Sequence, residues 1–169
     1  MLKNISMELM MSNKIFFTLL LSLGFVGCAS VPKADQNASA AVKQLNAPQE
    51  GNAGIYVYRS ASVKGAALKK DVWVDGECLG ETSRGVFFYK EVVGNQKHTI
   101  STESEFSPNH LDIETEAGKQ YFVQQFIKMG AFVGGANLKL VDEQTGKKAV
   151  SEYAFAQGGN CSKATIALK

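Results

Sequence analysis

Lys70-Asp71-Val72-Trp73-Val74-Asp75-Gly76-Glu77-Cys78-Leu79-Gly80 decides the fold. Successive residues of a strand point to opposite faces, so Val72 and Val74 share one face and Asp71 and Trp73 the other. Asp75-Gly76 suits the positive φ angles of a two-residue hairpin turn, and a second short strand follows it. Similar text lies on either side. Ile55-Tyr56-Val57-Tyr58 is β-branched and aromatic, and Val86-Phe87-Phe88-Tyr89 is apolar on both faces, as in a central strand. Runs at 97–102, 110–114, 120–127 and 136–141 follow. Val93-Gly94-Asn95 and Ala117-Gly118-Lys119 interrupt them, and Gln144-Thr145-Gly146 closes the last.

About seven to eight short strands at this spacing predict a mainly β fold, an antiparallel sandwich or partly open barrel. Lys148 to Ala156 reads as a short C-terminal helix with Val150, Tyr153 and Ala154 on one face, and Ala164 to Leu168 as a last strand. The expected core is Ile55, Val57, Val72, Val74, Phe88, Ile100, Leu111, Ile113, Val123, Leu138 and Leu140.

The start of the chain is a different kind of text. Lys14 precedes an apolar run from Phe16 to Val26 that ends in Gly27-Cys28. The run is too short to span a bilayer and has the charged start, apolar middle and small-residue end of a secretory signal. Translation could begin at Met1, Met7 or Met11. With Leu23, Phe25 and Val26 upstream, Gly27-Cys28 resembles the lipobox of bacterial lipoproteins. That resemblance implies cleavage before Cys28 and lipidation of its sulfur, including palmitate. Buried acyl methylenes contribute about 0.8 kcal/mol each to membrane anchoring. Ala29, which is not aspartate, points to the outer membrane, facing the periplasm. The expected organisation is a leader over 1–27, an acylated cysteine and flexible tether over 28–52, and one β domain over 53–169. The tether is rich in Ala, Gln, Asn, Ser and Lys, with Pro32 and Pro48, and only Ala38 to Leu45 could form a transient helix.

The 169 residues hold 18 Lys and Arg against 16 Asp and Glu. This near-neutral balance argues against nucleic acid as a partner. Cys78 and Cys161 are an even pair in a chain bound for an oxidising compartment, so a disulfide is expected. It would close a loop of about 84 residues, worth roughly 4–5 kcal/mol in the chain-entropy description. Two cysteines alone cannot form a four-ligand zinc site.

The order of the pieces resembles a bacterial lipoprotein family known only as domain of unknown function 2846. The resemblance rests on Ile55-Tyr56-Val57-Tyr58-Arg59, Val72-Trp73-Val74-Asp75-Gly76, Leu79-Gly80 and Gly85-Val86-Phe87-Phe88. It continues through Gly94, Lys97-His98-Thr99-Ile100, Ala117-Gly118-Lys119-Gln120-Tyr121-Phe122-Val123, Met129-Gly130-Ala131-Phe132-Val133-Gly134-Gly135 and Leu138-Lys139-Leu140-Val141. The first half is also similar to the PEGA modules of envelope proteins. The family implies a sandwich-like fold and an envelope location, and no reaction. Val93 stands where the family usually has proline, and the cysteine pair and the tail after Ala154 look particular to this chain.

No constellation for catalysis, metal or cofactor emerges. His98 and His110 are the two histidines, and neither has a nucleophile and acid at a recognisable spacing. His98 reads as structural and His110 as solvated. Glu103, Glu105, Asp112, Glu114 and Glu116 form an acidic stretch, read as the wet face of an antiparallel strand. Arg59 and Arg84 could pair with it. Tyr56, Tyr58, Trp73, Phe87 and Tyr89 would be core if both sheet faces are covered, or a binding surface if one is open. Gly130 and Gly134 flank a hairpin or bulge with Phe132 and Val133 at its tip, a possible partner contact. The expectation is a lipid-anchored, non-catalytic binding or structural module docking on another envelope component. The alternative is a periplasmic module for a small ligand, glycan or lipid.

Overall fold

Asp75 and Gly76 set the first register. In the computed structural model, which describes residues 29–168, they take φ of 53° and 83°. They join β2 (Lys70–Val74) to β3 (Glu77–Thr82). The leader over 1–27 and the acylation candidate Cys28 lie outside the described residues. The other strands are β1 (Asn52–Arg59), β4 (Val86–Val93), β5 (Lys97–Thr102), β6 (Asn109–Glu114), β7 (Gln120–Lys128), β8 (Gly135–Val141) and β9 (Ala154–Phe155). Helix α1 covers Gln36–Lys43 and helix α2 covers Glu143–Glu152. The strands form two sheets, ordered β8-β7-β1-β4-β9 and β3-β2-β5-β6.

The mainly β, sandwich-like architecture is as expected. The larger sheet is mixed rather than wholly antiparallel, because β1 runs parallel to β7 and β4 parallel to β9. β9 has only two residues, too few for a periodic signal.

Between the sheets, Ile55, Val57, Val72, Val74, Phe88, Ile100 and Val123 are at most 1% exposed. Ile113 and Leu138 are also buried, and Leu111 packs half-buried against them. Leu140 departs from the expectation at 49% exposed. It shares a face with Leu138, but β8 is an edge strand and its far end outruns the cover. One polar group crosses the core. Gln125 accepts a hydrogen bond from Thr82 Oγ1 at 2.5 Å and donates to Thr102 Oγ1 at 2.7 Å, tying β7 to β3 and β5.

The other face of the five-stranded sheet carries Tyr56, Tyr58, Phe87 and Phe122, packed with Ala149 and Val150 of α2 and with Val42 and Leu45. Tyr56 stacks on Phe122 with ring centroids 5.0 Å apart. Burial, with the charge of Glu91 adding to it, pushes the Tyr56 phenol up to about 12. These aromatics, like Trp73, are therefore core. Helix α2 starts earlier than the composition suggests. Asp142 caps it by accepting from Thr145 N and Oγ1, each at 2.8 Å, so Gln144-Thr145-Gly146 is a helical first turn. Gly146 is buried there, and a Cβ would strike the Phe122 ring.

The segment read as a tether is largely docked. Val31 is in the core at 8% exposed, and Lys33 pairs antiparallel with Ala156. Asp35 caps α1 through Ala38 N at 2.9 Å, and Gln120 Nε2 donates to Leu45 O and Asn46 O. Composition misses this because Val31, Val42 and Leu45 are isolated apolar residues, each finding cover at a separate place.

At the other terminus the Cys78 and Cys161 sulfurs are bonded, with Cα atoms 6.0 Å apart. The tail then lies against β2 and β3. Trp73 Nε1 donates to Lys163 O at 2.8 Å, Cys78 N to Ala164 O at 2.8 Å and Ile166 N to Gly76 O at 2.9 Å. Residues 164–168 make a single bridge, Thr165 to Glu77, in place of the expected strand. That bridge protects the otherwise open β3 edge.

Candidate docking surface

The strand directions put four connections at one end of the sandwich, the apex: 60–69 after β1, the short turn 83–85 after β3, 103–108 after β5 and 129–134 after β7. They touch one another. Ala136 N donates to Glu103 O at 3.0 Å, and a Cβ on Gly134 would lie 2.8 Å from Leu68 Cδ1. Val63, Phe106 and Met129 are each 81% exposed, Phe132 87% and Val133 58%. Five large apolar side chains exposed at one end of a small domain make a candidate contact surface.

Charged groups lock these loops from within. Glu105 accepts from three consecutive backbone N–H groups: Ala131 at 2.6 Å, Phe132 at 2.5 Å and Val133 at 3.1 Å. Partial desolvation raises its pKa, but the three hydrogen bonds outweigh this and hold the carboxyl below its usual range. The loop thus forms a nest of N–H groups, and the occupying anion is the chain's own carboxylate. Gly130 is required, because a Cβ would run into Val133 O. Arg59 is 2% exposed and donates to Leu68 O at 2.6 Å and to Gly65 O, and Arg84 donates to Ala61 O at 2.8 Å. Both arginines hold loop carbonyls rather than the acidic strand expected for them. Burial lowers the Arg59 pKa.

The other candidates are scattered. His98 is buried under the opposite end, the base, where Nδ1 meets Asp75 Oδ2 at 2.6 Å and Nε2 meets Val93 O at 2.7 Å. It clamps the β2–β3 turn to β5, a structural role. His110 is half-buried rather than solvated, 2.7 Å from Ser101 Oγ. Asp112 and Glu114 are exposed on β6, with Lys97 paired to Asp112 at 3.1 Å. Among the described residues no group of three or more His, Cys, Asp or Glu is placed to hold a metal ion. None of their helices is long and apolar enough to cross a membrane.

A shallow groove of about 170 Å³ adjoins the apex, lined by Trp73, Glu103, Phe106, Ser162, Lys163 and Ile166. Sequence reasoning found Phe132, Val133 and the flanking glycines, and missed Phe106, Met129, Val63 and the role of Glu105. Glu105 lies 26 residues from Ala131, so only the folded chain brings them together.

A Haemophilus influenzae Rd protein described as uncharacterized is 50% identical over 129 residues, 76% of each chain. The family described as protein of unknown function DUF2846 matches residues 49–136, a span that holds the hairpin, both arginines, Glu105 and the whole apex. The chain belongs to the DUF2846 family.

Proposed function

We propose that this protein is an envelope lipoprotein, anchored through Cys28, whose β domain docks without catalysis on another envelope component through its apex. One observation carries the reading: Phe106, Met129, Phe132 and Val133 stand exposed on loops that Glu105 and Arg59 hold in place. A loop backbone already held in place loses little further entropy on binding, which favours contact with a partner. The lipobox-like Gly27-Cys28 and the similarity of the first half to PEGA modules support the envelope setting. The glycan alternative has less support, because Tyr56, Tyr58, Phe87 and Trp73 are buried and offer no aromatic platform. In-cell crosslinking of the acylated protein, followed by detergent extraction and mass spectrometry, tests the proposal. One dominant protein adduct that disappears in the Phe132→Ser, Val133→Ser variant is expected. Turnover of an envelope substrate by the purified domain would sink the non-catalytic reading.

A further inference from the structure

We infer that the domain stands on its own bilayer by the base, the end with the turns at 75–76, 94–96 and 115–119, and points the apex away. This deepens the proposed function and rests on its acylation of Cys28. Val31 is inserted in the core, Gln157 N donates to Pro32 O at 2.9 Å, and Ala34 N donates to Phe155 O at 2.9 Å. Strand β9 runs parallel to β4, from the level of Val86 at the apex toward Val93 at the base. Lys33 pairs antiparallel to it and Pro32 O accepts from Gln157 N, so from Ala34 back to Pro32 the chain heads for the base.

Covalent geometry then limits the anchor. Cys28 to Val31 is three residues, a reach of about 10 Å at most. Lys33 lies opposite Ala156, one residue past the Phe155–Phe87 pair, so Val31 sits near the level of Lys90. Four residues of β4, roughly 13 Å, and then the apex loops separate it from the exposed tips. Acyl chains on Cys28 therefore cannot enter a bilayer lying against the apex while Val31 stays in the core.

The occupant of the base is thus the leaflet that holds the chain's own acyl group. The surface there suits it. Val93 is 60% exposed and Leu168 42%, and a Cβ on Gly76 would lie 3.7 Å from Leu168 Cγ. Lys119 is paired with Glu116 and Lys97 with Asp112, whereas Glu50 and Glu114 are exposed at the same end, so the contact rests on Val93 and Leu168 rather than on charge. Phe132 is left a domain's height above the membrane, open to a protein and out of reach of the anchoring lipid.

The test uses the full acylated protein in vesicles of phosphatidylethanolamine and phosphatidylglycerol. A photoreactive p-benzoylphenylalanine replaces either Val93 or Phe132, both exposed, and lipid adducts are counted by mass. Adducts several-fold more abundant at 93 than at 132 are expected. Equal adducts at the two sites, or more at 132, overturn the orientation. A Gly/Ser insertion of about twelve residues after Ser30, reaching roughly 20 Å as a coil, should erase the difference, and its persistence would also overturn the argument. The intact mass separates the two levels. A mature chain without acyl groups overturns the anchoring reading itself, whereas an acylated chain with adducts at 132 overturns only the orientation.

Discussion

At the base, β2 passes into β3 through Asp75-Gly76 and β4 into β5 through 94–96, and both turns are held by polar contacts to buried His98 and its neighbours. A Cβ on Gly94 would lie 2.5 Å from Ala117 Cα, so adjacent turns pack backbone against backbone. At the apex, the loops at 60–69, 103–108 and 129–134 are longer, and their large apolar side chains face outward. They are no less organised, since Arg59 and Glu105 take up their carbonyls and N–H groups. The base spends its contacts on register; the apex uses contacts from within to hold loops whose exposed tips form the proposed docking surface. Substitutions at the base should therefore unfold the protein, and substitutions of the apex tips should disarm it.

The largest effect should come from the staple. Replacing Cys78 and Cys161 by serine frees the tail from β3 and should cost about 3–5 kcal/mol in denaturant unfolding, the range for native disulfides closing long loops. A base substitution comes next. Asp75→Ala loses the contacts to His98 Nδ1 and Thr99 N and leaves alanine at φ 53°, so a loss of roughly 2–3 kcal/mol is expected. A change under about 0.5 kcal/mol there would erase the distinction between the ends.

Glu105 should act on its loop alone. Its pKa is lowered in the folded chain, so the hold on 131–133 is fully present above pH 4.5 and lost as the pH falls through the folded value. Protection of the Ala131, Phe132 and Val133 amides, taken relative to their intrinsic exchange rates, should fall below pH 4.5 while that of β1 and β7 does not. Glu105→Gln should accelerate the same three amides at neutral pH. The smallest effect is expected at the tips. Phe132→Ser with Val133→Ser should change stability by no more than about 0.5 kcal/mol, because both side chains are exposed.

The strands and the hairpin were legible because β-branched runs and Asp75-Gly76 report local conformation directly. The disulfide was legible because, with Cys28 set aside, the two remaining cysteines leave one pairing. Docking of 31–46 was not, since Val31, Val42 and Leu45 are too far apart to give a periodic signal, and Val31 joins one apolar cluster while Val42 and Leu45 join the other only in three dimensions. Leu140 was misread because alternation identifies a face and not where the facing layer stops. Half of the candidate surface was visible in Gly130, Phe132, Val133 and Gly134. Val63 and Met129 join them because parallel pairing of β1 and β7 brings their loops to one end, and Phe106 because its neighbour Glu105 binds the 131–133 backbone.

The most direct measurement pairs two readouts on the Phe132→Ser, Val133→Ser variant: the thermal midpoint of the purified domain and the yield of its in-cell protein crosslink. An unchanged midpoint with the crosslink lost is the predicted result. A midpoint lowered by several degrees, or a crosslink retained at the wild-type yield, would contradict the assignment of the apex as a surface built for a partner.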